Sequence, residues 1–160
     1  MRTVPDGPKV TLEGIAMSKQ AEFAVILKMN PMFADLGPDE LQRISSLCHT
    51  QQLGAGEVLF QKGDPGNALF GVRRGQIRIE TGASDGSRLT LNFMGSGDLF
   101  GEVAVLDGQS RTADATAGEA SELFVLRRED FLAFLEREPK VAIKIIMLLC
   151  QRIRWQSERM

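Results

Sequence analysis

Between Gly54 and Leu126 the chain cannot hold a long regular element, because most of its 16 glycines fall there and divide the apolar residues into short runs. Val58-Leu59-Phe60, Ala68-Leu69-Phe70-Gly71-Val72, Ile77-Arg78-Ile79-Glu80, Leu89-Thr90-Leu91-Asn92-Phe93 and Leu123-Phe124-Val125-Leu126 read as strands. Gly63-Asp64-Pro65-Gly66, Arg74-Gly75, Asp85-Gly86 and Gly95-Ser96-Gly97-Asp98 read as the turns between them. Many short strands at even spacing predict a closed, jelly-roll-like β-roll. Side chains alternate faces along a strand, so Ile77 and Ile79, then Leu89, Leu91 and Phe93, are expected to point inward.

Helices flank this region. Ser18 is a plausible N-cap for a helix carrying Phe23, Ile26 and Leu27 on one face, and Asn30-Pro31 stops it. Pro38 suits the first position of a second helix, with Leu41, Ile44, Leu47 and Cys48 as its stripe. Helical character returns over Arg128–Glu136, and Pro139 opens a last helix that runs on without a stop signal. The expected organisation is a loose arm over 1–17, a β-roll with flanking helices over 18–138, and a C-terminal helix over 139–160.

Composition removes several function classes. Nineteen basic and 21 acidic residues give a net charge of −2, which lacks the concentrated basic surface that nucleic-acid binding requires. No apolar run is long enough for a membrane span, and no secretory leader pattern is present. Cys48 and Cys150, far apart, are read as reduced cytosolic thiols, which sets the expected location as cytoplasmic. One histidine, His49, cannot build the metal site of a jelly-roll metalloenzyme, and no metal is expected. No nucleophile–base pair stands out, so the chain is not read as an enzyme.

The chemistry concentrates in Asp98-Leu99-Phe100-Gly101-Glu102-Val103-Ala104-Val105-Leu106-Asp107-Gly108-Gln109-Ser110-Arg111-Thr112-Ala113. A glycine turn leads into a short apolar helix ending at Gly108, and an Arg-Thr pair then begins another strand. Gly101 lets a ligand approach the backbone, and the free N–H groups of the short helix suit an anion. Arg111 offers a fork of donors matched to two phosphate oxygens, Thr112 adds a hydroxyl, and Glu102 can accept from a sugar hydroxyl. Taken singly, each has a bland reading as a surface charge or an ordinary turn residue. Together they suit a phosphorylated sugar.

Phe100-Gly101-Glu102-x-Ala104-x-Leu106 followed by Arg111-Thr112-Ala113 resembles the phosphate-binding cassette of cyclic-nucleotide-binding domains. Gly56-Glu57-Val58-Leu59-Phe60, Gly63-Asp64, Leu69-Phe70 and Gly75-Gln76-Ile77 extend the resemblance over about Phe33 to Met160, and it is strongest to the sensor domains of CRP/FNR-type bacterial transcription regulators. The resemblance implies cyclic AMP as ligand, with Arg111, Thr112 and the backbone near Val103 and Ala104 on the cyclic phosphate. It also implies that Glu102 takes the ribose 2′-hydroxyl, that Gly101 contributes backbone, and that Ile79 and Leu91 line the roll. Gln156 and Ser157 stand where cyclic AMP receptors carry a Thr-Ser pair that meets the purine. Thr112 after Arg111 leaves cyclic GMP open.

Ile143, Ile146, Cys150, Ile153, Ser157 and Met160 repeat at spacings of 3, 4, 3, 4 and 3, a heptad seam. Ala142, Ile145, Leu148 and Leu149 form a neighbouring stripe for packing on the chain's own roll. A homodimer through the seam is therefore expected, as the resemblance also implies. The pattern stops in mid-helix, so DNA contact is expected only through a further C-terminal domain. The preferred reading is a non-enzymatic cyclic nucleotide sensor. The alternative is a structural dimerisation domain whose pocket is empty or takes another effector.

Overall fold

A computed structural model describes residues 11–12 and 15–158. Fifteen elements follow in order: β1 (Thr11–Leu12), β2 (Ile15–Ala16), α1 (Lys19–Met29), α2 (Pro38–Ser45), β3 (His49–Leu53), β4 (Val58–Phe60), β5 (Ala68–Arg74), β6 (Gln76–Gly82), β7 (Arg88–Gly95), β8 (Leu99–Phe100), α3 (Glu102–Asp107), β9 (Asp114–Ala117), β10 (Ser121–Arg127), α4 (Arg128–Arg137) and α5 (Pro139–Glu158). Eight strands form two antiparallel four-stranded sheets, ordered β3-β10-β5-β8 and β4-β9-β6-β7. The β-roll flanked by helices matches the fold read from the sequence. Of the segment expected to be a loose arm, the described part is a small hairpin pairing Leu12 with Ile15.

Three layers result. β5 and β10 lie at the middle of the first sheet and are buried on both faces, so alternate residues serve different cores. Phe70, Val72, Leu123 and Val125 face the roll interior, where they meet Phe100 of β8 in their own sheet and Ile77 and Ala115 of the opposing sheet. Leu69, Phe124 and Leu126 face the helical layer, packing with Phe23, Leu27, Phe131, Val141 and Ile145. Strands buried on both sides need a continuous apolar run, which is what Leu123–Leu126 supplies.

The helix signals hold where local chemistry sets them. Ser18 Oγ accepts the Ala21 N–H at 3.1 Å and Pro38 opens α2. The final helix also presents two stripes, with Ile145 in the core while Ile143, Ile146 and Ile153 are 56%, 58% and 62% exposed.

One expectation is corrected. Leu89, Leu91 and Phe93 do not point into the roll, and each is 54% exposed. In the β6–β7 ladder Met94 stands opposite Ile77 and Asn92 opposite Ile79, whereas Phe93 stands opposite Arg78. The inward parity of β7 therefore falls on Met94, because a register offset of one residue exchanges the faces of a strand. Pairing then jumps from Asn92–Ile79 to Thr90–Glu80, leaving Leu91 as the extra residue of a β-bulge. Leu89 stands opposite Thr81, close to the hairpin turn, and stays exposed.

A buried ion cluster secures α1 to the roll. Arg73 donates from Nε to Glu22 at 2.6 Å and from Nη1 to Glu122 at 2.5 Å. Glu122 also accepts from Arg74 Nη2 at 2.9 Å and Lys19 Nζ at 2.8 Å. Its side chain is 1% exposed, and that burial pushes its pKa up. The ion pairs with Lys19, Arg74 and Arg73 outweigh it and hold the pKa at about 2.

Candidate functional site

The site begins with two turns that lock one arginine in place. The Arg111 N–H donates to the Asp64 carbonyl at 2.8 Å, and the Gly63 N–H donates to the Arg111 carbonyl at 2.9 Å. Gly63 adopts φ +94°, a left-handed conformation that glycine accepts without steric cost. Arg111 thus stands in this turn, and β9 begins only at Asp114 rather than at Arg111 itself.

The Arg111 side chain is then carried into the roll. The residue is 5% exposed, and its Nη2 donates to the Ala68 carbonyl at 2.7 Å. Its guanidinium carbon lies 4.4 Å from the Phe60 ring centroid and 5.5 Å from that of Phe70. Nε is buried and bonds no protein atom. Burial pushes the guanidinium pKa down, and the charge of Asp64 opposes this incompletely. Among the described residues no carboxylate forms an ion pair with it. A buried cation held only by a carbonyl and two ring faces favours an anion beside it.

Gly101 stands against this arginine. It caps α3 with φ +86°, and a Cβ there would lie 2.8 Å from Arg111 Nη1 and 3.1 Å from the Ala68 oxygen. Glycine is therefore required by both conformation and space. No side chain caps α3, whose first N–H groups have no intrahelical acceptor.

These parts border a cavity of about 280 Å³. Gly101, Glu102, Val103, Ala104, Arg111, Thr112 and Ile79 all line it, so seven residues named from the sequence meet in one place. Thr112 is exposed at its rim and Glu102 is half-buried. Phe60, Met94 and Phe100 also line it, forming apolar walls that the motif reading passed over. Phe100 lies inside the motif, but Met94 enters only through the β6–β7 register.

Leu91 does not line the cavity, because the bulge in β7 leaves it on the exposed part of the strand. Gln156 and Ser157 do not line it either. Both are exposed on α5, which passes α3 on its other side. There Leu148, Leu149 and Arg152 share a small apolar pocket of about 120 Å³ with Glu102, Val103 and Leu106. Glu102 and Val103 thus border both the cavity and the C-terminal helix.

A larger cleft of about 870 Å³ opens between β3 and α4. None of the residues expected to bind ligand lines it, and its one arginine with a buried unpartnered Nε, Arg128, is half-buried, whereas Arg111 is buried inside the roll. Size alone does not choose the site; the chemistry does. Among the described residues there is no cluster of side chains suited to a metal ion and no helix long and apolar enough to cross a membrane.

Comparison with known proteins agrees with this geometry. Residues 50–138 match the family model of the cyclic nucleotide-binding domain. The cyclic AMP receptor protein of Thermus thermophilus is 38% identical over 128 residues, which are 80% of this chain and 59% of that protein. The N-terminal domain of a transcriptional regulator from Streptomyces coelicolor superposes with a TM-score of 0.77 at 29% identity, covering 84% of this chain and 94% of that one. The regulatory domain of Toxoplasma gondii PKA, solved with cAMP, gives 0.68 at 27% identity, over 78% and 46%. The chain belongs to the cyclic nucleotide-binding domain family, of the CRP/FNR type. It spans about three-fifths of the length of the curated receptor that it matches.

Proposed function

We propose that this chain is a cyclic AMP sensor domain and that the cavity beneath α3 is its ligand site. One observation carries the reading: Arg111 is buried in that cavity with its charge paired to no carboxylate among the described residues. A cyclic phosphate monoanion supplies the missing partner, and Thr112 adds a hydroxyl at the rim. The N–H groups of Val103 and Ala104 complete the phosphate contacts, with Gly101 admitting the ligand close to the backbone. Glu102 takes the ribose 2′-hydroxyl, and Ile79 with Phe60 and Met94 encloses the sugar and base. The chain acts by binding, as a receptor rather than an enzyme.

The signal leaves through α5. Glu102 and Val103 border both the cavity and the pocket holding Leu148 and Leu149, so a shift of α3 is felt by the helix. Ile143, Ile146, Cys150 and Ile153 form the exposed face for a homodimer; Met160, the last residue of that seam, lies outside the described residues. Output to DNA belongs to a domain beyond this chain, in the cytoplasm. Gln156 and Ser157 lie outside the cavity, so they read the base only once α5 moves toward the bound ligand. Ending the chain after Arg154 therefore narrows the preference between adenine and guanine nucleotides while phosphate recognition persists.

Calorimetry with cyclic AMP, cyclic GMP and 5′-AMP tests the reading. Cyclic AMP binding with one site per chain, weakened at least hundredfold in Arg111→Ala, supports it. Binding of neither cyclic nucleotide rejects it. Tighter binding of cyclic GMP favours the second reading, for which the exposed Thr112 hydroxyl at the rim is the motive.

A further inference from the structure

We propose that Arg128 is a positioning residue for α3, setting the ligand-facing end of that helix from its opposite end. The proposal rests on the reading of the cavity as a cyclic nucleotide site. Arg128 opens α4, and its backbone N–H donates to the Asn67 carbonyl at 2.9 Å. The next carbonyl, that of Ala68, accepts Arg111 Nη2. Asn67, just before β5, and Ala68, which opens it, therefore anchor two arginines, and α3 lies between them.

The Arg128 guanidinium reaches the C-terminal end of α3. Its Nη2 donates to the Leu106 carbonyl at 3.4 Å. Its head lies flat against Gly108, where a Cβ would come within 3.0 Å of Cζ and Nη2 and 3.2 Å of Nε. Gly108 closes α3 in the left-handed conformation, φ +71°, and its N–H returns to the Ala104 carbonyl at 2.8 Å. α3 has no basic residue in its own last turn. The positive charge favoured at a helix C-terminus comes instead from the start of α4. In a helix of only six residues, a shift at one end displaces the other. Arg128 thereby sets where Glu102 and Val103 stand, and it ties α3 to the segment that leads directly into α5.

The test uses Arg128→Met, which keeps an aliphatic stem over α3 but removes the charge and the donor, and Arg128→Lys, which keeps the charge without the flat head. Cyclic AMP affinity is expected to fall about five- to tenfold in Arg128→Met, the scale of one hydrogen bond, with Arg128→Lys between that and wild type. The preference for cyclic AMP over its 2′-deoxy analogue, which reads Glu102, is expected to shrink in step. Amide exchange without ligand at Val105 and Gly108 is expected to quicken relative to β10. Unchanged affinity and unchanged 2′-hydroxyl preference would overturn the proposal. So would an equal loss for both analogues with unaltered exchange in α3, because that pattern marks a merely structural residue. If the wild-type chain binds neither nucleotide, the cyclic nucleotide reading fails by itself. The exchange measurement then decides alone, and unaltered exchange in Arg128→Met rejects the positioning role.

Discussion

Arg111 donates from Nη2 to the carbonyl of Ala68 at 2.7 Å, and among the described residues this is the one hydrogen bond made by its guanidinium, which is buried inside the roll. The bond aims the fork without neutralising it. A group held in this way is oriented before ligand arrives, so little rotamer freedom remains to be lost on binding.

Affinity and stability should separate at this residue. Leaving a buried charge without its partner costs about 3–5 kcal/mol, against about 1.5–3 for a charged hydrogen bond at Glu102 and about 0.5–1.5 for the Thr112 hydroxyl. Titration calorimetry should rank Arg111→Ala below Glu102→Ala, and that below Thr112→Ala. Arg111→Met should abolish binding yet leave the ligand-free melting temperature equal or higher, since the buried cation itself is a cost. A fall of several degrees in that midpoint would contradict this account.

Gly101→Ala should damage the site through the backbone. A left-handed residue with a Cβ costs about 1–2 kcal/mol, and here the Cβ would also press on Arg111 and the Ala68 carbonyl. Ligand affinity should drop while the overall helical content is kept. Circular dichroism and calorimetry on the same sample check both halves.

Acid should loosen the anchorage of α1. Glu122 is held at about 2, below its ordinary value of 4.5, so it binds fewer protons folded than unfolded. Its contribution, roughly 3 kcal/mol for a depression of this size, is complete above about pH 4.5 and is lost as pH falls toward 2. Denaturant midpoints across that window should decline in the wild type. Glu122→Gln should start lower at neutral pH and decline less steeply.

The exposed seam of α5 should bring two chains together. Each isoleucine buried contributes about 1.5–3 kcal/mol, while association costs about 4–15 kcal/mol in lost freedom. Ile143, Ile146 and Ile153 together can meet the lower part of that range. Sedimentation over a concentration series should show dimers for the wild type and monomers for Ile146→Asp with Ile153→Asp. A wild-type chain that stays monomeric at high micromolar concentration, with and without cyclic nucleotide, would remove the dimer.

Local chemistry made much of this protein legible in its sequence. The Ser18 cap, the Pro38 start and the glycine turns act over a few residues, so the helices at the ends and the strands between them could be read directly. The motif from Phe100 to Ala113 likewise named six residues that line one cavity, with Ile79 of β6 as a seventh. Tertiary structure decided what depends on partners distant in the chain. The β6–β7 register, not the apolar alternation of β7, turned Met94 inward and left Leu89, Leu91 and Phe93 outside. β3, a polar edge strand with no apolar pattern of its own, exists because β10 supplies its hydrogen-bond partners. Arg111 reads from sequence as one donor fork among 19 basic residues. Only the meeting of Asp64, Ala68, Phe60 and Phe70 around it buries the charge, and burial is what turns a common side chain into an anion site.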